Sequence, residues 1–235
     1  LAERLSAPSR FGGNPDDAFT VIVPSLPGYG LAPERPELAS GPHTHDLWHR
    51  LMHDELGFER YGVHGSDVGA GDVSRLAQAY PDAVIGVHLL DVLDPPTYDP
   101  EELTDDERAY LDANKAWHAA EGGYSHQQRT RPLTLAQGLS DSPSGLLAWI
   151  LEKYWAWSDD YSSFSDDFLL TQASLYWFTN SISTSFRPYY ERGNQLVPRV
   201  ERVDVPTALA LFPADIGGQQ PRSWAERTYN LTRYT

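Results

Sequence analysis

Residues 19–23, Phe-Thr-Val-Ile-Val, form an unbroken β-branched and aromatic run, the pattern of a strand buried in a parallel sheet. The Pro/Gly-rich loop Pro24–Gly30 stops it. From Thr44 to Phe58, Leu47, Trp48, Leu51, Met52 and Leu56 keep helical spacing. Tyr61–His64 predicts a second strand, followed by a small-residue turn and a helix to Tyr80; Ala83–Leu90 predicts a third strand. Strands alternating with helices over short connections imply a parallel sheet covered on both faces, an α/β fold.

The pattern changes after Asp94-Pro95-Pro96. From 95 to 204 the chain reads as helical and aromatic, with no convincing strand. Thr104 and Glu107 have capping-box spacing, and Ser142-Pro143 places a cap and a first-turn proline before a helix over Leu146–Trp157. Another helix is expected from Ser165 to beyond Tyr176. Strand character returns at Pro206–Phe212, then a helix near Ser223–Tyr229. The expected organisation is a sheet-forming segment 1–94, an inserted helical lid 95–204, and a return to the sheet over 205–235. Such a lid would cover the carboxyl edge of the strands, where open α/β sheets bind ligands.

Gly65-Ser66-Asp67-Val68-Gly69 joins the second strand to its helix. The segment fits a nucleophile elbow, a strained turn that lifts one side chain above the sheet. Small residues are expected two places before and after the nucleophile. Asp67 has Gly65 and Gly69 there, whereas Ser66 would have His64 and Val68. The pattern therefore favours the carboxylate, although an aspartate N-cap at a tight turn has the same look. A carboxylate nucleophile attacks saturated carbon and leaves an ester that water cleaves. That chemistry suits epoxides or alkyl halides. A halide leaves unaided except for N–H donors, whereas a ring-opened alkoxide needs a proton donor such as tyrosine.

Composition narrows the partners. Hydrophobic residues make up 40% of the 235, enough for a core, and the net charge of −15 repels nucleic acid and anionic membrane surfaces. With no cysteine there is no disulfide or thiolate chemistry. No apolar run is long enough for a membrane span, and no signal peptide is visible, so a cytoplasmic location is expected.

Several stretches together resemble the microsomal-type epoxide hydrolases and their bacterial relatives, across nearly the whole chain. They are VIVPSLPGYG, HGSDVGAG, EGGYSHQQRTRP, LSDSPSGLLAWILEKYWAWS, LYWFTNSISTSFRPYYE, VPTALALFP and PRSWAERTYN. The resemblance implies an α/β-hydrolase that opens small apolar epoxides to vicinal diols with water, a detoxification chemistry needing no cofactor or metal. It makes Asp67 the nucleophile and Tyr124 and Tyr189 the lid acids, with Tyr190 the competitor for the second place. Asp215 becomes the acid that orients a histidine, with Asp94 as fallback. The Val68 N–H would supply half of the oxyanion hole. Trp149, Trp155, Trp157 and Trp177 are candidates for an apolar substrate wall, Trp149 and Trp177 foremost, with helix packing within the lid the expected role for most of them. The family's histidine and its His-Gly-Trp-Pro loop have no counterpart in these 235 residues, and the first residue is Leu1. The expectation is therefore a fragment, cut at both ends, lacking a central strand and unable to complete turnover. A homodimer is left open.

Two other functions compete: a haloalkane dehalogenase, which Val68 and the lid tyrosines disfavour, and a catalytically dead hydrolase fold used for binding. His45, His49 and His53 have a spacing that can hold zinc, but a solvated helix edge explains them better. His64, on the strand before the turn, is expected either in the core or behind the residues of the site.

Overall fold

The computed structural model describes residues 1–35, 41–215 and 218–235. Four strands, β1 (Tyr61–Gly65), β2 (Val84–Leu89), β3 (Val203–Leu209) and β4 (Tyr229–Tyr234), form one sheet in the order β1-β2-β3-β4. All three pairings are parallel, with Gly65 opposite Leu89, Leu89 opposite Leu209 and Leu209 opposite Tyr234. This register brings the carboxyl ends of the strands to a common edge, so the segments that follow them emerge side by side.

Helix α3 (Val68–Ala79) crosses from β1 to β2 and packs on β1, β2 and β3. Its buried stripe, Ala70, Val73, Leu76 and Ala77, meets Val87, Leu89, Val203, Val205, Leu209 and Tyr229 in one core. Helix α11 (Arg222–Glu226) adds Trp224, which is fully buried. Each such large apolar side chain contributes roughly 1.5–3 kcal/mol relative to exposure.

The sheet departs from expectation in three places. Its opposite face is not covered among the described residues: Gly62, His64, Ile85, His88, Asp204, Pro206 and Asn230 are exposed along it. His64 is thus not a core residue; its Nδ1 lies 2.9 Å from that of His88 in the next strand. Residues 19–23 form no strand, and Phe19 and Val23 are 59% and 78% exposed. An apolar run supplies side chains for a sheet but not the neighbouring strand its backbone must bond to, and no described strand pairs with this one. Strand β4 follows a helix shorter than expected. Its alternation is half polar, Tyr229 and Leu231 inward and Asn230 and Thr232 outward, a weaker signal than the apolar runs.

The long connection from β2 to β3 holds seven helices among the described residues: α4 (Asp105–Glu121), α5 (Gly123–Thr130), α6 (Pro132–Asp141), α7 (Pro143–Ala156), α8 (Asp166–Thr179), α9 (Ile182–Ser185) and α10 (Arg187–Gly193). The expected caps are present. The Thr104 hydroxyl accepts from the Glu107 amide at 3.2 Å while the Glu107 carboxylate accepts from the Thr104 amide at 2.9 Å, and the Ser142 hydroxyl accepts from the Gly145 amide. A second core of Ala136, Leu139, Leu146, Ile150, Ala173, Ile182 and Phe186 holds α6 to α9 together. Upstream, α1 (Ala2–Ser6) is short, and α2 (Thr44–Arg50) ends in a wide π turn over Leu51–Glu55.

Ion pairs join the helical block to the rest of the molecule. Glu107 takes two hydrogen bonds from Arg227, just beyond α11, at 2.8 and 2.9 Å. Glu191 on α10 is held between Arg35 and Arg187, all three buried.

Candidate active site

The elbow is built by backbone geometry. Asp67 sits at φ 50°, ψ −123°, a region that ordinary residues avoid, between the end of β1 and the first residue of α3. The conformation turns the chain sharply out of the sheet. It also brings Gly65 so close to the helix that a Cβ there would lie 2.6 Å from the Gly69 carbonyl oxygen. Only glycine fits at 65. At Gly69 a Cβ would meet nothing within 4 Å, so the second small residue of the expected pair is not sterically required.

Asp67 is exposed at the sheet's carboxyl edge. Val68, the first residue of α3, carries one of the opening amides for which a helix has no acceptor of its own. The Asp67 amide donates to Asp91, just past β2, at 2.8 Å. Asp91 was not singled out from the sequence. Burial, with Asp67 and Asp215 nearby, pushes its carboxyl up to about 6 against the partial relief of the Asp67 amide. Asp215 lies past β3 in a turn closed by its amide on the Phe212 carbonyl, and is exposed. Three carboxylates therefore follow three adjacent strands. Asp94 instead accepts from the Trp224 indole at 3.2 Å.

Facing the elbow are two phenols from different helices. Tyr124 on α5 and Tyr189 on α10 meet edge to face with ring centroids 5.9 Å apart. Helices α5 and α10 approach closely because Gly193 has no side chain; a Cβ there would lie 2.7 Å from that of Arg129. Burial is the first cause that raises both phenols above the usual tyrosine value, and the Asp67 charge is the second. Tyr29, whose hydroxyl donates to the Ser185 carbonyl at 2.7 Å, is raised chiefly by burial, with Tyr189, Tyr176 and then the Asp67 charge adding to it. Both Tyr124 and Tyr189 are thus neutral proton carriers at ordinary pH. Arg192 opposes the shift at both, as it does at Asp91. This guanidinium was also missed, because nothing in the local pattern of α10 marks it. Tyr190, one residue on, has no ring contact with Tyr124 among those described.

Of the four candidate tryptophans, Trp157 stands beside the phenols. Trp157 stands 5.0 Å from the Tyr124 ring, and Lys153 Nζ lies over both rings at 4.5 and 4.9 Å. The Trp157 indole N–H is buried without a hydrogen-bond partner. Trp149 and Trp177 lean on the second core, Trp149 against Phe186 at 6.2 Å. Of the three histidines of α2 and its π turn, His49 and His53 stack on each other with ring centroids 5.1 Å apart, while each also has another neighbour. His45 is buried, His49 stacks on Tyr80 at 3.7 Å, and His53 pairs with Asp54. Among the described residues no three acidic or histidine side chains converge where a metal ion could sit.

Curated proteins and solved structures place this arrangement in context. A Stigmatella aurantiaca protein named "Putative epoxide hydrolase" is 34% identical over 240 residues, covering 100% of this chain and 54% of its own length. Epoxide hydrolase 1 of Oryctolagus cuniculus is 32% identical over 256 residues, covering 96% of this chain and 56% of its own. The solved epoxide hydrolase of Aspergillus niger superposes with a TM-score of 0.78 at 30% identity, covering 96% of this chain and 59% of that one. By sequence and by fold, the chain is a relative of the epoxide hydrolases. Its four described parallel strands match part of the α/β-hydrolase fold, and the chain spans about half the length of the curated relatives it matches. No family model matches it. No described helix is long and apolar enough to cross a membrane.

Proposed function

We propose that this epoxide-hydrolase relative opens small apolar epoxides through an ester on Asp67. The carboxylate oxygen attacks an epoxide carbon, the C–O bond breaks, and the departing oxygen takes a proton from Tyr124 or Tyr189. Water then adds to the ester carbonyl, one of its protons going to the departing diol oxygen and the other back to the phenolate; the diol leaves and the carboxylate is regenerated. The Val68 amide would face the oxyanion of that second step, and Asp215 would orient the base that activates the water. In this reading residues 95–204 act as the lid carrying the acids, Trp149, Trp157 and Trp177 are the apolar wall candidates, and the enzyme is cytoplasmic.

The observation that carries the reading is the strained Asp67 turn opposite two half-buried neutral phenols. A halide leaving group needs no proton, so the phenol pair favours an epoxide over a haloalkane. Incubation with styrene oxide and, separately, 1-bromobutane, followed by intact mass spectrometry and peptide mapping, tests it. An adduct on Asp67 from the epoxide, absent in Asp67→Ala, is expected. Adduct formation from the bromide alone would assign the dehalogenase chemistry, and none from either would support a binding role.

A further inference from the structure

We propose that Asp91 is a positioning residue whose negative charge drives Asp67 toward ester formation. This rests on Asp67 being the nucleophile.

The geometry comes from the sheet. Gly65 pairs with Leu89, so two residues further along each strand Asp91 comes beside Asp67 and its Oδ1 accepts the Asp67 amide at 2.8 Å. A residue at the turn's conformation has left the ladder and not yet joined the helix, so its N–H needs an outside acceptor. An asparagine or a backbone carbonyl would serve. A carboxylate does so at a cost, because Asp91 is half-buried with Asp67 and Asp215 for neighbours. Arg192 of α10 is the cation facing it; Tyr110 of α4 and Tyr229 of β4 are the phenols that feel its charge.

The cost has a use in the reaction. Esterification removes the negative charge of Asp67 and moves it to the epoxide oxygen, where a phenol neutralises it with a proton. Repulsion between Asp67 and an ionised Asp91 is present before attack and gone afterwards. Ionised Asp91 therefore raises the free energy of the reactant and not of the ester. The coupling is reciprocal: if Asp91 favours loss of the Asp67 charge, loss of that charge lowers the Asp91 pKa by the same factor.

Two measurements test this on the whole chain. In single-turnover mass spectrometry with styrene oxide, the rate of ester formation should rise through about pH 6 as Asp91 ionises. In Asp91→Asn, which keeps an acceptor for the amide, the rise should vanish and the rate at pH 8 fall about tenfold, the equivalent of one pKa unit. Carbon-detected NMR of aspartate-labelled wild-type protein supplies the second reading, which needs no variant: the Asp91 titration should move down about one unit once Asp67 is esterified. An Asn variant with the wild-type pH profile, or an Asp91 titration unmoved by esterification, would overturn the inference and leave Asp67 as nucleophile. Absence of any ester on wild-type Asp67 would instead remove the functional reading and this one with it.

Discussion

Tyr189 meets Tyr124 edge to face across the gap between two helices, with 5.9 Å between ring centroids and the charge of Asp67 felt by both. Neither ring is on the same element as the other, or on the element that carries the carboxylate. The pairing is a product of helix packing, set by Gly193 against Arg129.

If the phenols donate protons, removing a hydroxyl should matter only when the leaving oxygen needs one. Tyr124→Phe and Tyr189→Phe are expected to slow ester formation with styrene oxide by about a hundredfold. Any reaction with 1-bromobutane should be untouched. Time courses of the Asp67 adduct give both rates. Equal slowing with both reagents would mean that the hydroxyls only shape the cavity.

The two glycines of the elbow should behave oppositely. Gly65→Ala forces a methyl to within 2.6 Å of a backbone oxygen, and is expected to cost about 1–3 kcal/mol. Gly69→Ala adds a methyl into open space on the first turn of a helix, and should gain about 0.5–1 kcal/mol. Urea unfolding of the two variants checks the sign of each.

Asp67→Gly should make the protein more stable by about 1 kcal/mol while abolishing the adduct, since glycine takes a positive φ without penalty. Thermal melting read beside adduct mass separates the two effects. A destabilised glycine variant would mean that the side chain, and not the turn, relieves the strain.

Glu107 gives the fold a defined acid sensitivity. Hydrogen bonds from Arg227 are the first cause holding its carboxyl near 2, against an ordinary value of 4.5. Because the folded value is depressed, the stabilisation is fully present above about pH 4.5 and disappears as pH falls toward 2. The difference in melting temperature between wild type and Glu107→Gln should be constant above that window and shrink within it.

Much of this was legible along the chain. Strands β1 and β2, helix α3, both helix caps and the sharp turn at Asp67 follow from local patterns, because a strained turn and a cap are local objects. The run at 19–23 misled, since apolar composition does not say whether a neighbouring strand is there to receive its hydrogen bonds. Asp91 and Arg192 were invisible for a related reason: one owes its place to the register of two strands, the other to the approach of two helices. Of the four candidate tryptophans it is Trp157 that stands against Tyr124, because α7 ends beside α5, and spacing within α7 does not reveal which one does so.

Asp67 follows a strand of the sheet and the two phenols ride on helices, joined to the rest of the molecule through the Glu107–Arg227 and Arg35–Glu191–Arg187 clamps. In the proposed reaction, the reach between attacking and protonating atoms is therefore an adjustable dimension, set at joints remote from the chemistry. Lengthening or loosening a clamp would retune which ring-bearing molecules fit, while every reacting atom stayed chemically the same.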